Sequence, residues 1–254
     1  MLSAGFIRIA AILVALATAS GARAEEALVA VAANFASAAE AISTQFTQAT
    51  GHTLKITTGA TGKLYAQIVQ GAPFAVLMSA DAKTPARIEA EGLGVPGSRF
   101  TYAIGRLTLW SSDADRIGLD PNPALTAPGT LNIAIANPDL APYGVAARQA
   151  LTGLGLWDTV QPKIVMGQNI GQTFSMVDTG AAQMGFIATS AIDAPGTQPR
   201  GSRWDVPQAM IDPIRQDAVL LLPGKDNPAA LAFMEFLGSD KAKDIARSFG
   251  YGTE

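Results

Sequence analysis

Four short stretches of the chain carry residues suited to holding a small anion, and each lies where a predicted strand meets a predicted helix. The first N–H groups of a helix have no partner inside the helix and carry partial positive charge. A helix start can therefore bind an anion without a cationic side chain. The stretches are residues 32–35, 59–62, 141–144 and 168–171. Together they predict an anion site made of neutral donors.

Each stretch has a simpler interpretation when it is taken alone. Asn34 and Thr61 are favourable helix N-cap residues, and capping is the more frequent role for such side chains. Residues 59–63 are similar to a phosphate-binding loop, but Thr57 and Leu64 break the required pattern, which disfavours nucleotide binding. One shared site is favoured because two of the stretches lie in each half of the chain.

The residues that other chemistries require are scarce. His52 is the only histidine and the chain has no cysteine, which disfavours a transition-metal cation site and a thiol nucleophile. We expect His52 to lie on the surface. A hydrolase or transferase is the alternative from another class, and an acidic pair such as Asp81 and Asp139 facing each other across a cleft would support it. The chain is predicted to be no enzyme and to need no cofactor.

Strand and helix patterns alternate along the chain, which predicts parallel-rich α/β sheets flanked by helices. Residues 102–110 are expected to form one long strand, and residues 193–213 to be irregular. Two breaks in the pattern divide the chain into two lobes with a cleft between them. The first lobe is predicted to comprise residues 25–103 and 213–254, and the second residues 104–212. Ligands of such sheets bind beyond the carboxyl ends of strands.

The N-terminus has the parts of an export signal. Arg8 precedes the apolar run Ile9 to Ala19, and residues 22–24 have the small-x-small pattern of a cleavage site. The apolar run is shorter than the roughly 20 residues that a membrane span needs. We therefore predict a signal peptide at residues 1–24. Because no cysteine follows it, we expect an unanchored periplasmic protein, which we take to be a monomer.

Charge and composition limit the partners further. Charged residues make up 15% of the chain and apolar residues 48%, which excludes a disordered chain or one that coats nucleic acid. Cleavage after Ala24 would remove two arginines and leave 16 basic against 21 acidic residues, a net charge of −5. An acidic protein repels anions at long range, so it must hold one by local dipoles.

Five strings of residues resemble the molybdate-binding proteins of bacterial ABC importers, and the resemblance runs from about residue 27 to residue 251. It implies a periplasmic binding protein fold (type II-like), in which two lobes joined by crossing strands close over a tetrahedral dianion. It also implies capture of molybdate or tungstate and delivery to a membrane permease. The strings are AVAANFASA at 30–38, QIVQGAPFAVLMSAD at 67–81, GSRFTYAIGRLTLW at 97–110, IANPDLAPYG at 135–144 and the closing SFGYG.

The resemblance carries over to four binding residues. Asn34 and Thr61 match the polar residues that follow the first strand and begin the second helix of the family. Tyr143 and Ile170 match positions whose backbone N–H groups bind the anion. No side chain would coordinate the molybdenum atom directly, because the metal is present only inside the oxoanion.

Two departures from the family pattern remove hydroxyl groups. Ala33 stands where some members have threonine, and Ala188 stands where some have tyrosine. We expect Tyr143 to compensate with its own hydroxyl. The alternative within binding proteins is another oxoanion, sulfate or phosphate, or a small organic anion. A pocket of donors alone would reject hydrogen phosphate, whose hydrogen needs an acceptor.

Overall fold

The computed structural model describes residues 24–198 and 200–254. Apart from Ala24, the predicted signal peptide lies outside these residues. No helix in the described part of the chain is long and apolar enough to cross a membrane.

One mixed five-stranded sheet forms the centre of the first lobe, in the order β2-β1-β3-β10-β4. Strand β1 pairs in parallel with β2 and β3, whereas β10 runs antiparallel to β3 and β4. The strands are β1 (Glu26–Ala32), β2 (Thr53–Gly59), β3 (Val76–Met78), β4 (Phe100–Gly105) and β10 (Ile214–Leu220). Its helices are α1 (Ala36–Thr50), α2 (Thr61–Val69), α3 (Lys83–Ala90), α8 (Pro228–Leu237) and α9 (Asp240–Ser248).

The second sheet has the same plan, in the order β7-β6-β8-β5-β9. Strand β6 pairs in parallel with β7 and β8, and β5 runs antiparallel to β8 and β9. The strands are β5 (Leu107–Ser111), β6 (Ile133–Ala136), β7 (Ile164–Gly167), β8 (Met184–Ala188) and β9 (Ser202–Asp205). Its helices are α4 (Asn122–Thr126), α5 (Pro142–Gly153), α6 (Trp157–Val160) and α7 (Ile170–Asp178).

The helices form where apolar residues recur at helical spacing. In α1 the stripe Ala39, Ile42 and Phe46 is buried against the first sheet, as the sequence pattern predicts. Gly51 then ends the helix with φ 75°, a left-handed conformation that glycine adopts without steric cost. His52 follows directly, and the expectation that it lies on the surface is wrong. It is 9% exposed, because its ring packs beside Phe46 and its Nδ1 accepts from the Glu25 N–H.

Two expectations about strands are corrected. Residues 102–110 do not form one strand: β4 and β5 are separated at Arg106 and lie in different sheets. The strand-like pattern resumes at Leu107 directly after Arg106, and periodicity alone does not show that the pairing partners change there. The region 193–213, expected to be irregular, contains β9, which pairs with β5. Both sheets are mixed, with the antiparallel pairs concentrated around the strands near the crossing points.

Both chain crossings between the sheets lie close to the predicted boundaries. Every strand of the first sheet lies in residues 26–105 or 214–220, and every strand of the second in residues 107–205. We propose that the first lobe comprises residues 25–103 and 213–254 and the second residues 104–212, as the sequence predicts. A two-lobed α/β architecture places the strand ends of both sheets toward a common cleft.

Candidate functional site

The structure brings the four predicted binding residues to one small cavity between the lobes. Asn34 lies in a 3-10 turn directly after β1, and Thr61 is the first residue of α2. In the second lobe, Tyr143 is the second residue of α5, and Ile170 is the first of α7. The space free of protein atoms, including the opening to solvent, is about 200 Å³. Their contact with an anion stays a prediction.

The helix starts at this cavity leave backbone N–H groups without hydrogen-bond acceptors. In the described part of the chain, no acceptor is bonded to the backbone N–H of Thr61, Tyr143 or Ile170. The Thr61 hydroxyl oxygen accepts from the Ala80 N–H at 3.1 Å, so its own hydrogen remains available. Neither Asn34 nor Thr61 makes a cap hydrogen bond, so the capping interpretation is wrong for both.

The cavity is electrically neutral apart from these dipoles. Of the described residues that line it, Tyr143 alone has an ionisable side chain. Lys63 lies nearby, but its Nζ donates to Gln168 Oε1 at 2.9 Å. Asp81 and Asp139 are not among the lining residues, so they do not form the acidic pair that a hydrolase would need there. Such a site can hold an anion by hydrogen bonds and offers no general base.

The lobes also contact each other directly beside the cavity. The Gly62 N–H donates to Leu140 O across the cleft at 2.9 Å. A Cβ on residue 62 would lie 3.2 Å from Leu140 O, so glycine allows the two backbones this approach. The Lys63–Gln168 hydrogen bond is a second link between the lobes. The structure therefore has its cleft closed on this side.

Comparison with known proteins assigns the chain to a family. The family model for bacterial extracellular solute-binding proteins matches residues 27–252, which include all four helix starts and both sheets apart from Glu26 of β1. The chain belongs to this family. Its two mixed sheets, its crossing strands and its interlobe cavity are thus features of a solute-binding protein.

Relatives of this solute-binding protein confirm the resemblance drawn from the sequence. The molybdate-binding protein of Azotobacter vinelandii is 45% identical over 236 residues, which cover 93% of each chain. That of Rhodobacter capsulatus is 45% identical over 233 residues, 92% of this chain and 90% of the relative. The solved structure of the Azotobacter vinelandii periplasmic molybdate-binding protein superposes with a TM-score of 0.86 at 40% identity, covering 90% of this chain and 99% of that one.

Sequence reasoning missed the polar residues that hold Asn34 in this solute-binding protein. Asn34 Nδ2 donates to Gln216 Oε1 at 2.7 Å and to the Tyr251 hydroxyl at 3.3 Å. Tyr251 in turn donates to the backbone oxygen of Asn34 at 2.6 Å and lies 2.8 Å from Ser190 Oγ. Two signals could have pointed to them: the polar run Arg215–Asp217 within the predicted strand at 215–222, and a tyrosine in the closing SFGYG string.

The phenol of Tyr143 lies against the crossing strands. Its hydroxyl accepts from Gln216 Nε2 at 3.4 Å, and a Cβ on Gly105 would overlap with it. The Tyr143 hydroxyl, which was expected to replace a missing hydroxyl at the anion, is therefore already hydrogen-bonded to Gln216. Ala188 and Tyr251 both line a neighbouring cavity, together with Asn34.

Burial of three tyrosines predicts a loss of stability at alkaline pH. Burial raises the pKa of Tyr251 to about 12 and the pKa values of Tyr102 and Tyr143 well above their usual value. Unfolded tyrosines lose their protons near pH 10. The folded state therefore binds more protons above pH 10, and stability falls as pH rises, by up to about 1.4 kcal/mol per pH unit for each tyrosine.

Denaturant unfolding at about pH 8 and about pH 11 tests this expectation with Tyr251→Phe. The variant is expected to lose less stability than the wild type between the two values, by roughly 1.4 kcal/mol, since one proton-linked group is gone. Equal losses in both proteins would contradict the assignment of the raised pKa to Tyr251.

Proposed function

We propose that this solute-binding protein captures molybdate or tungstate in the cleft between its lobes and delivers the anion to the permease of an ABC importer. The observation that carries the proposal is the single cavity lined by Asn34, Thr61, Tyr143 and Ile170, with free helix-start donors and no charged side chain among its described lining residues. Relatives that are 45% identical over more than nine-tenths of the chain are molybdate-binding proteins, which supports the choice of ligand.

Hydrogen bonds supply enough energy for this task. A bond from a neutral donor to a charged group contributes about 1.5–3 kcal/mol. Roughly six such bonds offset both the association cost and the loss of hydration of the dianion. The Thr61 hydroxyl, the Asn34 side chain and the N–H groups at the helix starts provide candidates for them. Both lobes contribute, so the closed arrangement is the one that the anion favours.

Sulfate and phosphate are the second candidates. Sulfate has the same charge and shape as molybdate and a smaller radius, so the width of the cavity is the property that separates them. Hydrogen phosphate carries a hydrogen that would face donors only. A hydrolase is not proposed, because the lining residues include no carboxylate, histidine or cysteine in the described part of the chain.

The remaining proposals concern the setting of the protein. We propose export through the signal peptide at residues 1–24, a periplasmic location without a lipid anchor, and action as a monomer without a cofactor. Relatives named as periplasmic or extracellular support the location. The partner would be a membrane permease, and no nucleic acid is involved.

Isothermal titration of the purified protein with molybdate tests the proposed function. We expect saturable binding of one anion per chain, competition by tungstate at similar concentration, and weak competition by sulfate or phosphate even at roughly hundredfold excess. The physical reason is that tungstate matches molybdate in charge, shape and size. Tighter binding of sulfate than of molybdate would identify sulfate as the ligand instead. Absence of binding for molybdate, tungstate, sulfate and phosphate would refute the site.

A further inference from the structure

Gln216 is a buried amide that touches candidate binding residues of both lobes. It lies on β10 with no exposed surface. Its Oε1 accepts from Asn34 Nδ2 at 2.7 Å in the first lobe, and its Nε2 donates to the Tyr143 hydroxyl of the second lobe at 3.4 Å. The Tyr102 hydroxyl lies 3.2 Å from the same Oε1.

The amide of Asn34 has one engaged end and one free end. Its Nδ2 end faces Gln216 and Tyr251, whereas its Oδ1 end is buried without a hydrogen-bond partner among the described residues. Because Asn34 lines the anion cavity and the other end of its amide is engaged, the Oδ1 end is the candidate for contact with a ligand. A carbonyl oxygen is an acceptor, and an acceptor repels a fully deprotonated oxoanion.

We propose that Gln216 is a positioning residue that selects which end of the Asn34 amide faces the bound oxoanion. The proposal rests on the oxoanion site proposed above. When both amides rotate by half a turn, Gln216 Nε2 donates to Asn34 Oδ1, and Asn34 Nδ2 becomes free to donate to the anion. The two ends of an amide occupy nearly equivalent positions, so this exchange needs no backbone movement.

The surroundings accommodate the exchanged arrangement. Gln216 Oε1 then accepts from the Tyr143 hydroxyl, whose own hydrogen is otherwise uncommitted. The Tyr102 hydroxyl keeps the backbone oxygen of Ser79 as its acceptor at 2.9 Å. Tyr251 keeps its bond to the backbone oxygen of Asn34 at 2.6 Å and gives up the weaker one that its hydroxyl accepts from Asn34 Nδ2 at 3.3 Å. The pair of amides therefore has two hydrogen-bonded states that differ in what they present to the cavity.

These two states favour different ligands. With Nδ2 of Asn34 toward the cavity, the site offers donors and favours a dianion such as molybdate. With Oδ1 toward the cavity, the site offers an acceptor that pairs with the hydrogen of a protonated oxoanion. Gln216 can hold Asn34 in either state, because its Oε1 accepts from Asn34 Nδ2 in one and its Nε2 donates to Asn34 Oδ1 in the other. A side chain at this position that lacks the donor would remove the state that favours a dianion.

Replacing Gln216 with glutamate is expected to hold the Asn34 amide in only one of its two orientations. An ionised carboxylate has acceptors only, so Glu at this position holds Asn34 Nδ2 toward itself and leaves Oδ1 toward the anion. A protonated carboxyl regains one donor. The titratable groups around this position are the phenols of Tyr102, Tyr143 and Tyr251, and the carboxylates of Asp81 and Asp217. The cations near this position in the chain are Arg215, which pairs with Glu254, and Arg106, which follows Gly105, and Arg99 pairs with Asp217.

We expect Gln216→Glu to bind molybdate at least about a hundredfold more weakly than the wild type at about pH 9, and to recover much of the loss at about pH 6. Wild-type affinity and that of the neutral variant Gln216→Met are expected to change less than about threefold over this range, because neither has a group at position 216 that titrates. Titration calorimetry gives the affinities, and denaturant unfolding without ligand confirms that each variant is folded.

A double-mutant cycle with Asn34→Ala distinguishes positioning from direct charge repulsion. If Gln216 acts through Asn34, Gln216→Glu weakens binding at least about tenfold less in the Asn34→Ala background than in the wild type. An equal loss in both backgrounds would overturn the positioning role while leaving the oxoanion site intact. Absence of molybdate binding by the wild type would instead overturn the proposed function, and this proposal with it.

Discussion

A Gly144→Ala variant is expected to lose about 3 kcal/mol of stability and most of its affinity for molybdate. A Cβ at this position would overlap with the backbone oxygen of Ala136 and lie 2.8 Å from Pro138 N. Both neighbours belong to the backbone and cannot rotate away, so the overlap costs at the upper end of the usual 1–3 kcal/mol for overpacking. The start of α5 must move, and the N–H of Tyr143 moves with it.

Gly153→Ala is the matched control on the same helix. A Cβ at this position would meet the end of the Met210 side chain at 3.3 Å, which can shift. Alanine also favours a helix over glycine by up to about 1 kcal/mol. Unfolding by denaturant is expected to show Gly153→Ala as stable as the wild type or slightly more stable, with unchanged molybdate affinity. Similar behaviour of the two variants would contradict a special role for the α5 start.

Thr61→Val is expected to weaken molybdate binding by roughly tenfold to a hundredfold. The substitution keeps the shape of the side chain and removes its hydroxyl, and one hydrogen bond to a charged group contributes about 1.5–3 kcal/mol. It also leaves the Ala80 N–H, which now donates to Thr61 Oγ1, without a partner. Stability is therefore expected to fall by about 1–3 kcal/mol in the absence of ligand.

Thr61→Ser is the control, because it keeps the hydroxyl and loses only a methyl group. Calorimetry is expected to give it an affinity within a few-fold of the wild type. If Thr61→Val binds molybdate as tightly as Thr61→Ser, the hydroxyl makes no contact with the anion, and the backbone N–H groups alone must account for binding.

Local signals in the sequence were sufficient to locate the candidate site. A strand pattern followed by a helix pattern fixes where a helix starts, and helix starts have free N–H groups whatever the rest of the fold does. For this reason the stretches at residues 32–35, 59–62, 141–144 and 168–171 could be singled out before any tertiary contact was known. The family resemblance then pointed to one residue in each: Asn34, Thr61, Tyr143 and Ile170. Their convergence on one cavity required only that both lobes place their strand ends toward the cleft.

The residues behind the site could not be found by the same means. Gln216 and Tyr251 bond Asn34 from 182 and 217 positions away along the chain. Such pairs depend on which strands cross between the lobes. The strand-like pattern on both sides of Arg106 does not show that β4 and β5 pair in different sheets. Local periodicity reports which face of a strand is buried and gives no information about the strand beside it.

The hydrogen bond from the Gly62 N–H to Leu140 O gives the closed cleft a kinetic property. It joins a backbone N–H of one lobe directly to a backbone oxygen of the other, and no anion takes part in it. On this side of the cleft, an anion could leave only after this bond and the nearby Lys63–Gln168 hydrogen bond have broken. The rate at which the lobes open then limits the rate of release. The residence time of the anion can therefore greatly exceed the time expected from its own hydrogen bonds alone. Slow release suits a carrier that must load from dilute solution and keep its ion while it diffuses.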